Sequence, residues 1–120
     1  DLADRAYDQL LKLRKSDARV MNNRGYSYLL RGDYAKAEIW FGKAQAKDPE
    51  NMDIGYQLAV QFSQAGRSRE ALELLIGILR RDREFRGGEA RKTLLDIIRS
   101  LGKGDPLAVE YQRKLFALMY

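Results

Sequence analysis

The residues that could hold a phosphate lie in two short runs, Gly87-Gly88 followed by Lys92-Thr93, and Gly102-Lys103-Gly104. Neither has the GxxxxGK[ST] spacing, preceded by a strand, that lets successive backbone amides and one Lys surround a phosphate chain. The second run reads as a reverse turn ahead of Asp105. The sequence has no Cys and no His, so a thiol nucleophile, a disulfide, an imidazole base and the usual zinc ligands are all missing. Its carboxylates are spread over positions that read as helix caps and exposed faces. No pair is isolated on apolar surface, where burial would raise a pKa for acid–base work. No catalytic, cofactor-binding or metal-binding residue is expected.

The remaining chemistry is recognition. Arg19, Asn22, Asn23 and Tyr26 recur at one-turn helical spacing, as do Asp53, Tyr56, Gln57 and Val60, and then Lys92, Asp96 and Arg99. Turned toward a common groove, these residues would form a mixed polar lining for a peptide. Tyr26 and Tyr56 would be its anchors, since Tyr offers a large contact area at little rotamer cost. The same two rings could instead pack between adjacent helices, the commoner fate of helix-spaced aromatics.

The elements that would position these residues are helices. The chain has 120 residues, 45% of them apolar, and only two Pro, which suits one helical domain over 1–120 better than a turn-rich sheet. Aligning Gly32 with Gly66 gives a period of 34 residues, which also superposes Gly25 on Ala59, Tyr28 on Phe62, Ala37 on Ala71 and Phe41 on Leu75. A further step of 36 brings Leu95, Ile98, Gly102, Leu107 and Tyr111 into the corresponding slots, and stepping back 34 reaches Ala3 and Tyr7. Small residues fall on small ones because two antiparallel helices can approach closely only where one side chain is absent or short. Bulky residues one turn away then fill the groove.

Seven helices are expected, near 1–15, 18–31, 34–47, 52–65, 68–83, 89–101 and 105–119. They group as one helix of a partial repeat (1–15) and repeats over 18–49, 52–83 and 88–120. Asp17, Asp33, Ser68 and Asp105 stand as N-caps, the last with Pro106 behind it, and Gly32, Gly66 and Gly102 end the first helix of each pair.

Gly25, Tyr28, Gly32, Tyr34, Ala37, Phe41, Ala44 and Pro49 together resemble one nearly complete tetratricopeptide repeat. Met21 stands where that family often has Trp, Arg24 where it has Leu, and in the second unit Gly55 and Arg83 replace Trp and the closing Pro. The resemblance implies an all-α solenoid of antiparallel helix hairpins that binds a protein or peptide in its groove. Residues 53–120 also resemble the C-terminal helical region of bacterial thioredoxin-fold co-chaperones, the chaperedoxins, through QLAVQFSQAGRSREALELLIGILRRD, GGEARKTLLDIIRSLGKGDPLA and YQRKLFALMY. That likeness implies a co-chaperone-type interaction module. The thioredoxin domain and every Cys are absent, so none of its redox chemistry transfers to a residue. A competing reading is an engineered join of helical pieces near Lys47 to Gln57, with no natural ligand.

Some tetratricopeptide proteins clamp a C-terminal carboxylate with Lys and Asn. Here Asn22, Tyr26, Gln57, Glu89 and Thr93 occupy the corresponding positions, and without paired cations no such clamp is expected. The chain carries +5, with 12 basic and 8 acidic residues over 61–120. The basic run Arg80, Arg81, Arg83, Arg86, Arg91 and Lys92 is interleaved with acids, which suits a solvated helix end better than a nucleic-acid stripe. No apolar run approaches the roughly 20 residues of a membrane helix. The start at Asp1 reads as a fragment, and the composition as a cytoplasmic protein. Leu2, Ala6, Leu10 and Leu13 at one end, and Leu115, Phe116, Leu118, Met119 and Tyr120 at the other, leave apolar faces through which a homodimer could form.

Overall fold

The computed structural model describes residues 2–120, apart from the side chains of Asp4 and Tyr7. Asp1, the predicted start of the first helix, and Tyr7, the predicted partner of Phe41 in the period, therefore lie outside the described residues. Six α-helices follow one another: α1 (Leu2–Leu30), α2 (Tyr34–Lys47), α3 (Met52–Gln64), α4 (Ser68–Arg81), α5 (Glu89–Leu101) and α6 (Pro106–Met119), with a short 3₁₀ turn at Phe85–Gly88 before α5. Among the described residues there is no strand.

The expectation of seven helices is corrected at one place. The break near residue 16, with Asp17 as a cap, does not occur, and α1 runs through it for 29 residues. Neither Gly nor Pro interrupts the sequence between Leu2 and Arg24. A capping residue starts a helix only where the chain before it has left the helical path; Asp17 in mid-helix costs a few tenths of a kcal/mol, about its propensity penalty, and stays exposed. Of the other caps, Asp33 and Asp105 hold and Ser68 does not. Asp33 accepts from the Lys36 amide at 3.2 Å, and Asp105 from those of Leu107 and Ala108 at 2.8 and 3.3 Å, with Pro106 opening α6. At α4 the cap position is Arg67, with no side-chain cap bond, and Ser68 is the first helical residue. Asn51, which the sequence reading passed over, caps α3 through the Asp53 amide at 3.0 Å.

The period shows itself in the turns. Gly32 and Gly66 both have φ of +79°, and the amide after each reaches back to an aromatic residue's carbonyl, Asp33 to Tyr28 at 2.9 Å and Arg67 to Phe62 at 2.8 Å. Left-handed φ is where glycine avoids the Cβ clash, so the same residue closes both helices.

The chain divides into two compact units, Asp1–Ile54 and Gly55–Tyr120. In the first, α1 and α2 form an antiparallel hairpin that buries Ala18, Gly25, Ala37, Phe41 and Ala44, and Ile54 from the start of α3 joins Ala18 and Ala44 in a cluster with Met21 packed against it. Gly25 is required here: a Cβ at that position would stand 2.7 Å from two carbons of the Phe41 ring. In the second, Ala59 and Ala71 are wholly buried, together with Leu72, Leu75, Ile76 and Leu79 of α4, Ala90 and Leu94 of α5, and Tyr111 of α6.

The α4–α6 crossing of the second unit is fixed by a polar group at its edge. The Tyr111 hydroxyl donates to Glu73, Lys114 lies 3.3 Å from Glu73 and 3.2 Å from Glu110, and Arg69 lies 3.5 Å from Glu110. The Tyr111 bond, ahead of the Lys114 contact, holds the Glu73 carboxyl below its usual range, whereas burial first and Glu73 second push the Tyr111 phenol up.

Candidate functional site

Of the residues expected to recognise a peptide, those on α1 form one face of the first unit. Arg19 and Asn23 are exposed, Asn22 is half-buried, and Tyr26 is 42% exposed. The Tyr26 ring meets Phe41 edge-on, with centroids 5.8 Å apart. The ring thereby touches the core while part of it is exposed. The buried Oδ1 of Asn22 has no hydrogen-bond partner among the described residues. Asp53 is exposed in the first turn of α3, where its charge suits the positive end of the helix dipole.

In the second unit Lys92, Asp96 and Arg99 share the exposed side of α5, and Arg99 pairs with Asp96 at 3.4 Å. Gln57 and Val60 of α3 are half-buried. Tyr56 behaves differently. It is 7% exposed, its hydroxyl is hydrogen-bonded to the Thr93 hydroxyl at 2.8 Å, its ring lies 5.8 Å from Phe85, and the Arg86 guanidinium sits 5.0 Å above it. Burial raises its pKa, the Thr93 bond opposing. Between the two fates open to this ring, the structure takes packing, and Tyr56 ties α3 to the 3₁₀ turn and to α5. Arg86 holds a left-handed φ of 51° in that turn, which a non-glycine residue adopts at some cost, with its guanidinium also 3.9 Å from Glu89.

The two glycine runs also resolve as turns. Gly87 and Gly88 adopt φ of 64° and 93° on the way into α5, and Thr93, the supposed phosphate-loop hydroxyl, is engaged by Tyr56. Gly102 and Gly104, at φ of 94° and 86°, lead into the Asp105 cap. Among the described residues no three His, Cys, Asp or Glu side chains stand together as metal ligands. No described helix is long and apolar enough to cross a membrane.

The largest exposed apolar side chains of the second unit lie on α6 and at its C-cap. Phe116 is 65% exposed and Tyr120 92%, and their rings stack with centroids 4.9 Å apart. They border a hollow of about 480 Å³ between α5 and α6, floored by Leu95, Leu115 and Met119 and rimmed by Arg91 and Gln112. Sequence reading found the apolar residues of α6 but missed Leu95, Arg91 and Gln112. Their place depends on the register of α5 against α6, which no local spacing encodes. In the first unit, Leu2, Leu10 and Leu13 of α1 are exposed as expected.

These hairpins, closed by equivalent glycines and nested on small residues, are those of a helical repeat protein. The chain matches the tetratricopeptide repeat family over residues 41–120 and again over residues 1–51. It belongs to that family. An uncharacterized protein of Haemophilus influenzae is 44% identical to it over 75 residues, which are 62% of this chain and 34% of that protein. The chain thus spans about a third of that relative's length.

Proposed function

We propose that this chain is a non-catalytic scaffold that binds a protein or peptide, of the co-chaperone type and acting in the cytoplasm. Tetratricopeptide repeats in general mediate contacts between proteins, and the chain is built from them. The observation that carries the reading is the α5–α6 hollow with its stacked, exposed Phe116–Tyr120 pair. Aromatic and Met surface around a concave apolar floor is the usual composition of a binding hot spot. Within the second unit, Lys92, Asp96 and Arg99 on α5 would supply polar contacts that orient the partner, and on the first unit Arg19, Asn22, Asn23 and Tyr26 on α1 would offer a recognition face of their own.

The test is affinity capture from bacterial lysate with the chain and with a Phe116→Ala/Tyr120→Ala variant, each checked for unchanged helicity. Both side chains are exposed, so the variant should fold. The chain is expected to retain a defined protein that the variant loses. Sedimentation over a tenfold concentration range accompanies it, because a second copy could be the occupant. A strict monomer that retains nothing beyond what the variant retains contradicts the proposal and favours a helical scaffold without a natural ligand.

A further inference from the structure

A second hollow lies in the first unit and is of another character. It measures about 520 Å³ and is formed where the middle of α1 passes the C-terminal end of α2: Arg14 and Met21 from α1, Lys43, Ala46 and Lys47 from α2, and Pro49 from the following loop. Arg14 and Met21 are seven residues apart, two turns along one side of α1, so they face it together. Its apolar lining is Met21, half-buried, with Ala46 and Pro49, both exposed. The rim is three exposed cations. No carboxylate among the described residues pairs with Arg14, Lys43 or Lys47, although ion pairs join cations and carboxylates of the second unit at Glu70, Glu73, Glu89, Asp96 and Glu110.

On the other side of α1, Lys12, Lys15 and Arg19 line a further hollow of about 560 Å³ that shares the α2–α3 loop. Six cations therefore surround this end, with Asp48 also lining the further hollow, in a unit whose overall balance, 10 basic against 9 acidic residues, is close to neutral. The positive charge is gathered here rather than spread. Lys47 in the last turn of α2 suits the negative end of that helix dipole, but Lys43 lies a turn earlier and Arg14 is in the interior of α1, so the dipole accounts for only one of the three.

We propose that this cleft docks an acidic, partly apolar polypeptide segment, taking its side-chain carboxylates on Arg14, Lys43 and Lys47 and one of its apolar side chains on Met21, Ala46 and Pro49. Charge complementarity selects the class of occupant. Three like charges around one concavity repel until an anion fills it, and the apolar lining rewards an apolar side chain between the acids. A nucleic acid fits less well, since no aromatic ring lines the cleft for a base to stack on. Exposed cations contribute modestly one by one, so the affinity is set by several weak contacts and is steeply sensitive to salt. The cleft belongs to the first unit, and its test does not depend on the α5–α6 hollow.

Trp40, the single tryptophan of the chain, reports on the cleft directly: Lys43 Nζ lies 4.4 Å from its ring centroid, and the Arg24 guanidinium lies 4.9 Å away. Drawing Lys43 toward a carboxylate changes the field on the indole. The probe is the blocked tetrapeptide acetyl-Glu-Leu-Glu-Asp-amide, whose amide end excludes recognition of a terminal carboxylate. The controls are its Gln-Leu-Gln-Asn counterpart, inorganic phosphate and an oligothymidylate. Titration of the full chain, followed by Trp40 fluorescence and by calorimetry, should saturate with the acidic peptide and weaken about tenfold between low and physiological salt.

An Arg14→Glu/Lys47→Glu variant leaves both Trp40 contacts in place and alters only exposed side chains; it should bind at least about tenfold more weakly, as expected for losing two charged contacts. A Phe116→Ala/Tyr120→Ala variant should bind as the parent does. Equal binding of the neutral peptide, tighter binding of phosphate or the oligonucleotide, no saturation at low salt, or unchanged affinity in the charge-reversed variant would each overturn the proposal.

Discussion

Phe41→Ala is expected to remove most of the stability of the first unit, about 3–5 kcal/mol by the usual cost of deleting a buried aromatic ring. The ring is wholly buried, lies over the bare Cα of Gly25 and supports the edge of Tyr26. Nothing small can collapse into that space, because the residue opposite is already glycine. Domains of this size bury a smaller share of their unfolded surface than larger ones do and are correspondingly marginal in stability. The loss therefore approaches the whole margin. Trp40 lies in this unit and is the only tryptophan, so its fluorescence during urea denaturation follows the first unit specifically. Its transition should move to much lower urea, while far-UV circular dichroism keeps a component from the second unit. A shift worth less than about 1 kcal/mol would mean that the ring is not the keystone of the hairpin, since such losses are typical of surface changes.

Tyr111→Ala should be comparably damaging to the second unit, about 3–5 kcal/mol, for the same reason of an emptied aromatic site. Tyr111→Phe separates the ring from its hydroxyl. Only the bond to Glu73 is lost, and since that carboxylate is half-exposed the expected cost is about 1 kcal/mol. The two variants also differ in acid. Glu73 has a folded pKa below its unfolded value, so it contributes stability above the unfolded pKa, and that contribution disappears as pH falls through the folded pKa. The Tyr111 bond is the leading cause of the depression. Tyr111→Phe should therefore lose less stability than the parent between about pH 7 and pH 3, the interval over which a carboxylate titrates. Parallel curves would show that the hydroxyl does not stabilise the ionised form.

What could be read from the sequence was the part governed by local spacing. The 34-residue interval places Gly25, Ala37, Ala59 and Ala71 correctly as buried small residues and Gly32 and Gly66 as helix ends, and a step of 36 places Gly102 as a third. Asp33 and Asp105 were legible as caps because a short polar side chain followed by a helix-forming run has one favourable use there. Asp17 offered the same local signal without a terminus, and continuous helix hydrogen bonding prevailed. Recognition residues were harder. Tyr26 and Tyr56 look alike in the sequence, each in the first helix of a pair. They part because Thr93, Phe85 and Arg86 close around Tyr56 from segments about 30 to 40 residues away and bury it, whereas Tyr26 meets the Phe41 ring edge-on and remains 42% exposed. The cation-rimmed cleft was likewise invisible, since Arg14 and Lys43 come together only once the α1–α2 hairpin has formed.

The central claim is that close nesting of the first hairpin depends on the missing side chain at Gly25, and one comparison tests it most directly. Gly25→Ala and Gly42→Ala make the same substitution in helix interiors of the same unit, and each gains about 1 kcal/mol of helix propensity. A methyl group at Gly42 meets nothing within 4 Å, while one at Gly25 lands 2.7 Å from the Phe41 ring. Overpacking of that kind costs about 1–3 kcal/mol. Urea midpoints read through Trp40 should therefore rise for Gly42→Ala and fall well below it for Gly25→Ala. Equal stabilisation by both substitutions would contradict the account, because the hairpin would then have room for a methyl group against the Phe41 ring.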